Sequence, residues 1–167
     1  MLNSIWLLIP IALQGVVTVA DEVVFHWKRG LPRWERLGHP LDTLTVLCCM
    51  LWILCVPPGS RAAWAYAGLA IFSSVFVTKD ERVHKLYCPA AEHWLHAVLF
   101  ILHPLVLISL ALLWPAAHGQ SSDFAGLILY SGWERGALWA VSAMAFLFGS
   151  YQLAYWNLLW HPESTTR

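Results

Sequence analysis

Five apolar stretches, cut at two places by the same polar motif, constrain this chain more than any other feature of it. A helix needs roughly 20 mostly apolar residues to cross a bilayer. The stretches run from about Ser4 to Ala20, Leu41 to Val56, Arg61 to Thr78, Pro89 to Trp114 and Gly136 to Trp160. Charged residues are 12% of the 167, about half the share usual in soluble domains, as expected for a membrane protein. The formal net charge is zero, so bulk charge gives no case for nucleic-acid binding. No glycine-containing turn has the spacing of a phosphate cradle. The first stretch lacks a basic leader and a small-residue cleavage site, so it reads as a retained transmembrane helix.

The expected fold is an all-α integral membrane protein with about five transmembrane helices in a single domain over residues 1–167. Helices one to four form a bundle from two parallel helix-turn-helix repeats, about 4–57 and about 61–114, and a fifth helix follows at about 136–160. Pro32 and Pro89 suit the first turn of a helix, where a missing N–H costs little. Pro40 and Pro104 predict bends. The apolar stretch from Phe124 to Trp133 is short, and reads either as interfacial or as the start of helix five.

The repeats rest on the doubled motif. Asp21-Glu22-x-x-x-His26 is followed by Pro32-x-x-Glu35-x-x-x-His39, and Asp80-Glu81-x-x-His84 by Pro89-x-x-Glu92-x-x-x-His96. Residues three or four apart share one face of a helix. Each of four helix ends therefore offers a carboxylate and an imidazole on one stripe. Such groups are costly near a bilayer when unpaired, and a metal ion satisfies several at once. The mixed oxygen and nitrogen set suits iron, manganese or zinc. Eight candidates, Glu22, His26, Glu35, His39, Glu81, His84, Glu92 and His96, exceed one tetrahedral zinc and point to two ions, iron favoured. The design resembles that of di-iron carboxylate bundles, with more His and less carboxylate.

Neighbouring residues supply outer roles. Asp21 and Asp80 lie about 100° from the Glu stripe on an α-helix, and are expected to cap, to pair with arginine or to orient a His. Asp42 either ligates or holds a His ring nitrogen, and His93 sits off the main stripe. His103 lies about 10 Å deeper than His96 on the same face. It reads equally as functional or as a neutral His bonded to a carbonyl freed by Pro104. Tyr151 and Tyr155 share a face of helix five and line a substrate channel, act as redox-active phenols or pack helices. Cys88 is either an extra ligand or, like Cys48, Cys49 and Cys55, a small packing residue.

Basic residues cluster at the motif ends: Lys28, Arg29, Arg33, Arg36, Lys79, Arg82 and Lys85 against Arg61 and Arg135. The positive-inside rule then puts the metal site on the cytoplasmic side of the inner membrane, with the N-terminus outside. The expected function is a non-haem di-iron oxidoreductase acting on a membrane-soluble lipid, isoprenoid or quinol. Membrane lipids, that hydrophobic small molecule and an unidentified electron donor are its partners. The alternatives are an intramembrane zinc hydrolase of a lipid substrate and a metal-ion transporter or sensor.

Overall fold

The computed structural model describes residues 2–80, 88–123 and 125–161, with Asp80 described by its backbone alone. Glu81 and His84 lie outside the described residues, as does Phe124. Among the described residues are five helices long and apolar enough to cross a membrane: α1 Ser4–Arg29, α2 Arg33–Cys55, α3 Ser60–Lys79, α4 Ala90–Ala117 and α5 Glu134–Leu159. Side chains such as Trp64, Ile71, Val75, Ile101, Phe146 and Leu147 stand exposed on their outer faces. In water such a surface would be an aggregation hazard; against lipid it is the expected solvent-facing side.

Pro32 and Pro89 each stand one residue before a helix and lend it a carbonyl. Arg36 N–H donates to Pro32 O at 3.1 Å and Glu92 N–H to Pro89 O at 3.0 Å. The two prolines thus fix where Glu35 and Glu92 fall, in the first turn of α2 and of α4. Helix α2 runs on through Pro40, and α4 through Pro104 and Pro115 to Ala117, past the expected end at Trp114.

The contacts define direction. Ser4 Oγ donates to the Glu134 carboxylate at the starts of α1 and α5, and Trp156 Nε1 donates to Glu22 at their ends. Trp114 Nε1 donates to Val56 O at 2.7 Å, and His118 meets Ile53 O at 3.0 Å, so α2 and α4 finish together. Helix α3 runs against both, with Tyr66 on Leu107 O and Lys79 on Asp42. The close-packed core, including Ile53, Leu110, Leu113 and Leu138, fills the half of the bundle where α2 and α4 end.

Helix α5 is an integral part of this bundle rather than an addition to it. It lies against α2, where a Cβ on Gly149 would stand 3.1 Å from Thr43 Cγ2. Helix α3 is the more peripheral element, with only Tyr66 and Ser73 buried along Ser60–Phe76. The segment before α5 is not the start of that helix, which begins at Glu134. Ile128–Leu129 pairs in parallel with Leu2–Asn3, and Asp123 Oδ1 accepts from Ile128 N–H at 2.9 Å. Gly126 and Gly132, at φ 67° and 88°, take the chain out of helical geometry on either side.

Candidate metal centre

The end of α1 is where local geometry and chemistry meet. From Glu22 to His26 the helix widens into a π turn, with the Trp27 N–H donating to Glu22 O five residues back. Such turns are uncommon and cluster at functional sites. On an α-helix Asp21 and His26 would point apart. The wider turn brings them together while keeping Glu22 beside His26. Asp21 Oδ2 lies 3.2 Å from His26 Nε2, and Glu22 Oε2 lies 3.1 Å from His26 Nδ1. A second π turn closes α5, with Trp160 N–H on Tyr155 O at 2.8 Å. Between the two, Gly30 turns the chain at φ 74°. A Cβ there would stand 2.5 Å from the Trp160 ring, so glycine is needed for both conformation and space.

Asp21, His26, Glu92 and His96 are all buried, and each offers one ligand atom within 4.8 Å of the others. This group could hold a metal ion. Asp21 Oδ2 is 3.1 Å from His96 Nε2, and His26 Nε2 is 3.5 Å from Glu92 Oε1. Ligands bound to one ion at about 2.1 Å stand roughly 3.0–3.4 Å apart, so these separations match edges of a coordination polyhedron. Among the described residues, Asp21 Oδ1, His26 Nε2 and Glu92 Oε2 are buried without a hydrogen-bond partner. His26 Nε2 is near two carboxylates yet aligned for a hydrogen bond with neither. Buried polar atoms left without a partner are costly unless something satisfies them.

The surroundings fit an ion. Glu22 takes the Nδ1 side of His26, the pattern by which an outer carboxylate fixes a metal-binding imidazole. Its own Oε1 accepts from Trp156 Nε1 at 2.7 Å and from Tyr151 Oη at 2.9 Å, and Gln152 Nε2 lies 3.5 Å from its Oε2. Trp27 Nε1 in turn donates to Tyr151 Oη at 2.7 Å. Among the described residues, one guanidinium, that of Arg29, pairs with buried carboxylates of this end. Arg29 donates from one nitrogen to Glu92 Oε1 at 2.7 Å and to Glu35 Oε2 at 3.1 Å.

Of the expected ligands, His26, Glu92 and His96 belong to the group, with Asp21 in place of a purely outer part. Glu22 stands behind His26, and Glu35 is tied to Arg29. The His39 ring lies 4.7 Å from that of His26. Asp42 is held by both its oxygens on Lys79 Nζ at 2.7 Å. His93 is half-buried beside Glu92. Tyr151 stacks on Tyr155, with centroids 5.5 Å apart. His103 bonds side chains, not a carbonyl freed by Pro104: Ser73 Oγ at 3.0 Å and Gln14 Nε2 at 3.4 Å. Cys88, half-buried just before Pro89, has its thiol pushed up to about 12 by burial, against the pull of Arg29.

Sequence spacing alone did not find Arg29, Trp156 or the ligand position of Asp21. Trp156 is fully buried, but among eleven tryptophans it reads as one more interfacial ring. Below the group lies a cavity of about 630 Å³, walled mainly by apolar side chains of α1, α2, α4 and α5. Asp21, His26, His39 and His96 form its polar end, and His103 and Gln14 interrupt its wall. No family model, characterised protein or solved structure matches this chain.

Proposed function

We propose that this protein is a membrane metalloenzyme that binds one catalytic ion through Asp21, His26, Glu92 and His96, and oxidises an apolar substrate lodged in the cavity beneath. The observation that carries this reading is the cavity ending on the metal group. Its volume lies in the range of small-molecule sites, about 300–1,000 Å³, and its walls suit a molecule drawn from the lipid phase. Two imidazoles with carboxylates are the ligand types of non-haem iron, and bound iron supplies the redox chemistry that protein side chains lack. Glu22 orients His26, Tyr151 and Trp156 hold Glu22, and the apolar walls exclude water.

Among the described residues, Arg29 bridges Glu35 and Glu92, so one cation already stands between these two expected ligands. We therefore favour one ion, with the guanidinium acting as the second positive charge. The positive-inside rule, applied to the basic residues around this end, supports a cytoplasmic side for it. Purified protein analysed for metals by mass spectrometry should carry about one iron per chain. An Asp21→Ala/His96→Ala variant should carry none while keeping its helical circular dichroism. Equal metal in both proteins would overturn the ligand assignment, and no metal in either would overturn the reading altogether. Two irons would restore a dinuclear site. Zinc alone would favour a hydrolase, with Glu35 as the candidate base, and a weakly held ion would favour transport or sensing.

A further inference from the structure

The polar interruption of the cavity wall is itself directional. Gln14 stands seven residues before Asp21 on α1, and His103 seven after His96 on α4, so both lie about 10 Å from the metal group along the bundle. Proton counting fixes how they bond. Thr45 Oγ1 donates to Asp42 O at 2.9 Å, which commits its only proton. Ser73 Oγ, 2.7 Å from Thr45 Oγ1, must then be the donor of that pair. With its proton spent, Ser73 accepts from His103 Nε2–H at 3.0 Å. The neutral ring leaves Nδ1 as an acceptor, filled by Gln14 Nε2–H at 3.4 Å. The chain ends at Gln14 Oε1, an acceptor that is buried and has no hydrogen-bond partner among the described residues.

We propose that Gln14 is a specificity residue whose amide oxygen receives a hydroxyl of the substrate. The substrate is then a long apolar molecule bearing a hydroxyl about 10 Å from its reacting end. An unmade hydrogen bond at a buried acceptor is costly, and this hydroxyl removes that cost only when the cavity is filled. An apolar chain without a donor fills the same volume and leaves the acceptor bare, so the site discriminates between the two. The inference rests on the cavity being the substrate site, but not on the identity or presence of the ion.

The test uses full-length protein in detergent, stripped of metal, with a mid-chain octadecanol and its methyl ether as probes. Affinities come from displacement of the tritiated alcohol. Wild-type protein should prefer the alcohol about five- to tenfold, the worth of one neutral hydrogen bond. Gln14→Met, close in volume and unable to accept from the hydroxyl, should bind both alike, with its ether affinity unchanged. The Asp21→Ala/His96→Ala variant should keep the wild-type preference. Absence of preference in wild type, or its survival in Gln14→Met, overturns the proposal. Loss of metal binding with preference intact leaves it standing, and wild-type protein without metal or preference overturns both readings.

Discussion

Two carboxylates of this bundle, Glu134 at one end and Glu92 at the other, are both fully buried and differ in everything else. Glu134 opens α5 and is surrounded by neutral donors: Ser4 Oγ, Ser131 N–H at 2.6 Å and Gly132 N–H at 2.8 Å. It ties the start of α1 and the loop before α5 together. Glu92 has one oxygen on Arg29 and 3.5 Å from His26, and its other oxygen unpartnered among the described residues. Burial alone therefore does not mark a functional carboxylate. A buried acid whose oxygens are met by fixed donors belongs to the fold. One left incomplete beside imidazoles could hold a ligand.

The comparison breaks if the two residues respond alike. Glu134→Ala removes the acceptor of three donors and should lower stability by about 2–4 kcal/mol, read as a fall in the thermal midpoint, with metal content unchanged. Glu92→Gln should do the reverse. It keeps the shape and removes a charge from an acidic cluster, so metal should be lost while the midpoint holds or rises. Metal loss in the Glu134 variant, or unfolding in the Glu92 variant, would show that the two ends are not separable in this way.

Glu22→Gln sharpens it. If Glu22 acts through His26, ion affinity should fall about 10–100-fold with binding still measurable, a smaller effect than loss of a direct ligand. Competition with a chelator gives the value, and an unchanged affinity would remove Glu22 from the site. The smallest effect concerns Cys88. Its thiol, raised to about 12 mainly by burial, stays protonated through neutral pH. In a variant with Cys88 as the sole cysteine, alkylation should quicken about tenfold per pH unit without a plateau below pH 10, since the thiolate is the reactive form. An ordinary thiol levels off near pH 9. Glu92→Gln, by removing a nearby negative charge, should speed that reaction at any given pH.

Much of the architecture was legible because bilayers allow few solutions. Apolar runs of spanning length report helices with little ambiguity, and Pro32 and Pro89 mark the starts of α2 and α4 to within a residue. The spacing of Glu35 and Glu92 after those prolines gave their place in the first turns. The doubled motif also pointed to the end of α1 and the start of α4, where Asp21, His26, Glu92 and His96 meet. It set Asp21 apart from His26 because it assumed a regular helix of 3.6 residues per turn, where the chain forms a π turn.

The sequence by itself determined that this is a chain of membrane-length helices with acids and imidazoles gathered at one end. Periodicity and hydropathy are local properties, and local properties can be read from order alone. Only the tertiary structure decided which of those groups meet. The π turn at Glu22–His26 rotates Asp21 into the group, and no local preference for it is written in those residues. The turn coincides with contacts from α4 and α5, where His96 bonds Asp21 and Trp156 bonds Glu22. The same holds for Arg29, Gln14 and the cavity. Each depends on side chains brought together from helices far apart in sequence, and that meeting is a property of the packed bundle.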